Sequence, residues 1–373
     1  MTENNFYWYW FANISGIGVM TQKRLFEYFG HPSNVYNAPE REVKSLLTKK
    51  QWNEFSISKN QRKIECSARK LEERGICFFH RESPEYPERL AQLYETPNLL
   101  YYIGRLPDFS KPILAIVGSR RATIYGRKMA REFAAKLAES GIQIVSGMAA
   151  GVDAAGHRGA LDVDGYTLGV LGGGIDTIYP VENYNLYQKV YQTGGVLSEY
   201  NMGISPQKGM FPMRNRLISG LSDGILVTEA GERSGSLITA DQGLDQGKDI
   251  FALPGRITDG MSRGCNDLIS QGAILVRSPK DIIDVIIKEE KIGNKKKNMD
   301  KNTEEFFDKQ KNFCGNKKEE RIYALLDEIH PVTFENLLEN SGFSAFELQH
   351  ILMKFELKNI IYQIEQNVYL KKV

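Results

Sequence analysis

Three strings in the middle of the chain combine glycine, hydroxyl and cationic residues at spacings that suit an anion. The densest is Lys208-Gly209-Met210-Phe211-Pro212-Met213-Arg214-Asn215-Arg216, with three cations, an amide and one aromatic ring in nine residues. A cation beside an exposed ring suits a single nucleic-acid strand, because each base can stack for about 1–3 kcal/mol and each phosphate adds a salt-sensitive contact. The same string is also compatible with Phe211 in the core and Arg216 paired with Glu229 or another acid. In the second string, Gly118-Ser119-Arg120, an apolar run ends and a helical pattern begins. Backbone amides and the helix dipole would there favour a phosphate while the Arg120 fork takes two of its oxygens. The third runs from Glu229 to Ala240 and holds Ser234-Gly235-Ser236 between a strand and a helix, so its amides can hold a further phosphate or carboxylate. Three such loops suggest a polymer track, although a single nucleotide could also use them.

Catalytic motifs are thin by comparison. The first loop is not GxGxxG, and the second strand ends in Val145-Ser146 where a dinucleotide site wants an acid for the ribose. GxxxxGK[ST] is absent, Gly247-Lys248-Asp249 being the nearest fragment, and there is neither a GxSxG elbow nor an HExxH pair. Asp153 and His157 share a helix face at i and i+4. That is a possible acid–base pair, but a helix cap and a packed, hydrogen-bonded histidine explain them equally. The residues therefore point to anion binding without chemistry, and no cofactor is expected.

The elements that must position these residues follow from periodicity. Short apolar runs ending in Gly or Ser and followed by helical patterns predict a parallel sheet with covering helices. The expected strands are Ile113–Val117, Gln143–Ser146, Thr167–Leu171, Val196–Ser198, Gly224–Thr228, Asp249–Ala252 and Ala273–Val276. This is an α/β, extended Rossmann-like parallel or mixed sheet, on which ligands sit beyond the carboxyl ends of the strands. Residues 1–85 read as helical, with apolar spacing through Met20–Phe29 and Arg62–Leu71. Within them Ile14-Ser15-Gly16-Ile17-Gly18 has the pattern of a helix-hairpin-helix turn, or simply of a glycine turn between helices. A connecting segment, 86–112, carries Pro87, Pro97 and Pro107 and leads into the Rossmann-like domain, the whole taken as 86–290. Residues 291–318 are polar and lysine-rich and read as a flexible linker. Residues 319–373 show helices at Glu319–Ile329, Thr333–Asn340 and Ala345–Leu357, then strands at Ile360–Ile364 and Val368–Leu370, the order of a winged helix. Its third helix bears Glu347, His350, Lys354 and Glu356, a nearly neutral face that favours a protein contact over DNA reading.

Composition sets the outer bounds. The 373 residues carry a net charge of +2, so no broad basic face is expected. Glycine is uneven: 26 of 34 lie between Ile113 and Ala273, where ten of the fifteen cations are arginine, the residue whose planar fork fits phosphate. The cysteines, Cys66, Cys77, Cys265 and Cys314, form no CxxC pair, so neither a disulfide framework nor a zinc site is expected. No run approaches the roughly 18 apolar residues of a membrane span, and the acidic start is unlike a signal sequence. A cytoplasmic protein is expected.

Taken in order, SGMAAGVDAAGHRGAL from Ser146, then LGGGIDTIYPVEN, SEY, FPMRNRLISGLSDGILVTEA, SGSLITADQG, FALPG and GCNDLISQGA closely resemble the DNA-processing protein A (DprA/Smf) family of bacteria. The match covers about 165 residues, and the flanks agree with the N-terminal helical domain, of sterile-alpha-motif or helix-hairpin-helix kind, and the C-terminal winged helix often found there. The resemblance implies a non-catalytic protein that binds single-stranded DNA taken up in natural transformation, protects it and loads the recombinase RecA, generally as a homodimer. It implies DNA contact for Arg120, Lys208 and Phe211; Arg214, Asn215 and Arg216 lie in the same motif, beside the loop residues Gly118, Ser119, Ser234 and Gly235. Val152 and Gly156 depart from the commoner isoleucine and alanine. The enzymatic alternative, cleavage of a nucleoside monophosphate by the lysine-decarboxylase-like Rossmann group, uses a PGGxGTxxE loop; the corresponding turn here, Ser234 to Ala240, lacks its acid.

Overall fold

Strands buried on both faces must be covered by helices on both sides, and that requirement organises the larger part of the molecule. The computed structural model describes residues 1–287, 317–326, 332–358, 360–365 and 367–371. They fall into two compact units, 1–291 and 292–373.

In the first unit a parallel sheet is built from β3 (Ile113–Val117), β4 (Gln143–Ser146), β5 (Thr167–Gly174), β6 (Gly195–Tyr200), β7 (Gly224–Val227), β8 (Asp249–Ala252) and β9 (Ile274–Leu275). Alternate residues of β3 serve opposite layers. Leu114 and Ile116 pack with α8 (Ile124–Glu139) and α9 (Val152–Leu161), while Ile113, Ala115 and Val117 pack with α11 (Met210–Leu221) and α12 (Gly235–Asp245). Helices α10 (Tyr184–Thr193), α13 (Arg263–Ser270) and α14 (279–287) complete the cover. The strand order β6-β5-β4-β3-β7-β8-β9 reverses at β3. A crevice beyond the carboxyl ends is expected at such a reversal.

Two strands were not anticipated. β1 (Cys77–His80) and β2 (Leu99–Gly104) form an antiparallel pair that extends the sheet through β2 against β6, with Tyr101 opposite Ser198. The first falls within the segment expected to be helical and the second within the proline-bearing connection. Each is short, and only pairing with a neighbour defines it. The remaining N-terminal elements are helices: α1 (Glu3–Ala12), α2 (Val19–Phe29), α3 (Pro32–Asn37), α4 (Glu40–Ser45), α5 (Lys49–Ser58) and α6 (Gln61–Glu73), with the short α7 (Glu88–Ala91) between β1 and β2. The aromatic run Phe6 to Phe11 is the reason they pack: Trp8, Tyr9, Trp10 and Phe11 are all buried. The indoles keep their N–H groups satisfied, Trp8 on Glu82 Oε2 (3.1 Å) and Trp10 on Ser58 Oγ (2.9 Å). The Ile14–Gly18 turn joins α1 to α2 with both isoleucines inward.

The second unit contains α15 (Lys317–Leu325), β10 (Val332–Thr333), α16 (Phe334–Ser341), α17 (Ala345–Leu357), β11 (Ile361–Glu365) and β12 (Val368–Lys371), its strands ordered β10-β12-β11. A capping box, Ser344 with Glu347, starts α17, and Leu337, Leu348, Leu352 and Phe355 form the core. The expected linker, 291–318, lies outside the described residues except for its last two positions.

Candidate nucleic-acid interface

A cleft of about 710 Å³ opens where the sheet reverses. Gly118, Ser119 and Arg120 follow β3, Lys208, Phe211, Arg214 and Asn215 come from the start of α11, and Ser234 and Gly235 from the start of α12. All of these expected positions line the cleft; Arg216 does not. Arg121, Tyr179 and Arg233, which are not among the expected site residues, line it as well. Tyr179 follows the glycine run at the end of β5, so its place at the carboxyl edge was the available signal.

The Arg120 loop holds its shape through protein acceptors. Ser119 N donates to Glu229 O (2.7 Å), Arg121 N to Ser119 Oγ (3.1 Å) and Thr123 N to Glu229 Oε2 (2.8 Å). The Glu229 carboxylate is buried at the N-terminus of α8, where the dipole favours a negative charge. The Ser119, Arg121 and Thr123 amides are thus engaged by protein acceptors, while the Arg120 and Arg121 side chains are exposed. On the facing loop, Ser234 caps α12 and its hydroxyl lies 2.7 Å from that of Ser236.

Arg214 forms the floor and is only 5% exposed. It donates to Gly147 O, to Val170 O (2.7 Å) and, through Nε, to Asn215 Oδ1 (3.0 Å). Gly147 is a glycine for this reason, since a Cβ there would lie 2.3 Å from the guanidinium. Burial pulls Arg214 down to about 10, with Asp153 opposing the shift, so it stays charged at neutral pH. Burial raises Asp153 against the pull of Arg214 and of the Gly147 and Ala149 amides, which donate to Oδ2. Arg214 and Asn215 are therefore structural parts of the floor, whereas Arg120, Lys208 and Arg233 are exposed.

Arg216 points elsewhere. Its Nη2 donates to both oxygens of Glu199, at 2.7 and 2.5 Å, its Nε lies 3.7 Å from Glu95 Oε2, and the arginine itself is buried. Its acids are thus Glu199 and Glu95, and not Glu229. Nor do Asp153 and His157 form a pair. The His157 ring is wholly buried with Nδ1 on Thr167 Oγ1 (2.7 Å), and burial, with the Arg214 and Arg158 charges, pushes it down to about 3. A neutral imidazole bonded to a threonine is no proton shuttle for the cleft.

Phe211 is half-buried at the rim. Its ring rests against Gly172, where a Cβ would come within 2.8 Å of it, and the Arg120 guanidinium lies 4.9 Å from its centroid. Charge in the cleft is lopsided: Arg120, Arg121, Lys208, Arg214 and Arg233 face one carboxylate, Asp153. A net charge of +2 for the chain thus coexists with a concentrated local site. Its lining is that of a basic groove with an aromatic wall.

The fold and the cleft together define a Rossmann-like α/β protein with a basic, aromatic groove at the switch point of its sheet. Residues 77–287 match the family model described as DNA recombination-mediator protein A, and the chain belongs to that family. It is 44% identical over 198 residues to the DNA processing protein DprA of Streptococcus pneumoniae, covering 53% of this chain and 70% of that protein. The X-ray structure of DNA processing protein A from Streptococcus pneumoniae superposes with a TM-score of 0.67 at 35% identity, covering 75% of this chain and 97% of that one. A structure of DNA processing protein A from Helicobacter pylori, which concerns its single-stranded DNA binding mode, superposes with a TM-score of 0.53 at 32% identity, over 57% of this chain and 96% of that one. Among the described residues no helix is long and apolar enough to cross a membrane.

Proposed function

We propose that this protein binds single-stranded DNA in the cleft, without chemistry of its own, and serves as a recombination mediator that protects incoming DNA and loads RecA in natural transformation. The observation that carries this is the convergence of five cations and the Phe211 ring on a groove with a single carboxylate. Arg120, Lys208 and Arg233 supply the phosphate contacts, and Ser119, Ser234 and Gly235 shape the two loops that flank them. Family membership and the single-stranded DNA binding of the Helicobacter pylori relative support the reading. A cytoplasmic homodimer fits this role, with residues 1–85 as a helix-hairpin-helix or sterile-alpha-motif-like domain and the C-terminal unit as a winged helix that contacts protein.

The test is a salt-titrated binding series. Wild type should bind oligo-dT more tightly than the matching duplex. Arg120→Ala and Lys208→Ala should each weaken binding and lower the salt slope by about 0.7 per lost phosphate contact. Variants that match wild type at every salt concentration would overturn the site, and release of free adenine from AMP above background would overturn the non-catalytic reading.

A further inference from the structure

The C-terminal unit leaves an apolar stripe in solvent. On α17 the inward face carries Leu348, Ile351, Leu352 and Phe355, which are buried in the core of the unit. The outward face carries Phe346 (82% exposed), Met353 (61%) and Leu357 (82%), with Gln349 and His350 exposed between them. Apolar residues scattered singly over a surface need no explanation, but a row of them on one helix marks a contact. This row holds no lysine or arginine, so a phosphate backbone has nothing on it to pair with.

The spacing of the stripe says what kind of surface would cover it. Phe346, His350, Met353 and Leu357 follow one another at intervals of four, three and four residues, the d-a-d-a order of a heptad seam, which packs helix against helix. Glu347 and Lys354 then flank the seam at the e positions, and Gln349 and Glu356 at the g positions. Two copies of α17 can meet in two directions. In a parallel pair each seam residue faces itself and g meets e, so Lys354 finds only Gln349. In an antiparallel pair a faces d and e faces e: Phe346 lies opposite Leu357 of the second copy, His350 opposite Met353, and Glu347 meets Lys354 on both sides of the twofold axis. Opposite charges pair only in the antiparallel arrangement. Glu347 and Lys354 are bonded within the unit to Lys318 and Glu319, yet each keeps 42% of its side chain exposed, so the crossed contact forms without breaking those bonds.

We propose that the outward face of α17 is a self-association surface, on which α17 of a second copy of this chain packs antiparallel about a twofold axis between His350 and Met353. The apolar row supplies the attraction, and the Glu347–Lys354 contacts, each worth little in water, set the direction. Thirteen residues give a contact about 20 Å long, which places it among the small, reversible interfaces. This inference rests on the protein-contact reading of the C-terminal unit and names the partner.

The experiment is disulfide trapping in the full chain. Phe346→Cys and Leu357→Cys are made singly and together, at positions exposed enough to leave the fold intact. Within one chain the two positions lie about 16 Å apart along the helix, too far for an internal disulfide. Under mild oxidation the double variant should form a covalent dimer, with peptide mapping showing a 346–357 bond. Neither single variant should exceed wild type, which controls for the exposed Cys66 and Cys77. A double variant no more cross-linked than wild type would overturn the proposal; so would single variants that link 346 to 346 or 357 to 357, the mark of a parallel pair. Phe346→Asp, titrated with oligo-dT and with duplex, separates the two levels of argument. If it binds both as wild type does and the double variant is not trapped, self-pairing fails while the protein-contact reading stands. A loss of binding to either probe would return α17 to DNA and overturn both.

Discussion

Gly147→Ala is the sharpest test of how the cleft is built. The added Cβ would stand 2.3 Å from Arg214 Nη1, 2.5 Å from Cζ and 2.7 Å from Nη2, where ordinary carbon–nitrogen contact needs about 3.4 Å. Gly147 does not have a left-handed φ, so the cost is contact and not backbone strain. Arg214 cannot retreat, being 5% exposed and anchored on Gly147 O and Val170 O. Displacing it breaks charge-assisted hydrogen bonds worth about 1.5–3 kcal/mol each and removes a positive charge from beside buried Asp153. The expected loss is about 3–5 kcal/mol, or a fall in Tm on the order of 10 °C for a unit of this size. Gly209→Ala is the control, because nothing lies within 4 Å of a Cβ at that position, also at the edge of the cleft; it should stay within about 0.5 kcal/mol of wild type. Calorimetry of both variants decides the matter. If Gly147→Ala melts with Gly209→Ala, Arg214 is not wedged against Gly147.

Three further outcomes follow from the buried ionisable groups. Glu199→Ala leaves the 6%-exposed Arg216 side chain with only Glu95, 3.7 Å from its Nε, and should cost about 1.5–3 kcal/mol, whereas Glu199→Leu combined with Arg216→Met should cost less, as a double-mutant cycle by urea unfolding would show. Arg216→Met should also leave the salt slope of DNA binding unchanged, since Arg216 lies outside the cleft; a lowered slope would return it to the site. His157, held down to about 3 from 6.5, binds a proton less readily in the folded state than in the unfolded chain. Its contribution is therefore present above pH 6.5 and lost as pH falls toward 3, by up to about 1.4 kcal/mol per pH unit. Between pH 6.5 and 5, wild type should lose about 2 kcal/mol more than His157→Gln in chemical unfolding, and parallel profiles would refute the assignment.

Much of the fold is legible in the chain itself. β3, β4 and β8 have the bounds expected of them, Ile113–Val117, Gln143–Ser146 and Asp249–Ala252, because a strand covered on both faces carries apolar residues through its middle. α17 spans Ala345–Leu357, the expected range, behind its Ser344 cap. The three strand–loop–helix strings could likewise be assigned to one sheet edge, since parallel strands present all their carboxyl ends on the same side. β1 and β2 were not legible: each is a short aromatic run near prolines, and β2 is defined by pairing with β6, roughly a hundred residues away.

The cleft divides along the same line. Residue types and spacing alone determined that Arg120, Lys208, Phe211 and the α12 cap would share an anion-ready edge, because local strand–turn–helix geometry needs no distant partner. Only the tertiary structure decided which arginines remain available. Glu199 claims Arg216, the carbonyls of Gly147 and Val170 claim Arg214, and Glu229 claims an amide at the start of α8. Each of these depends on which groups long-range packing buries together, and a buried charge must find its partner wherever the fold places one.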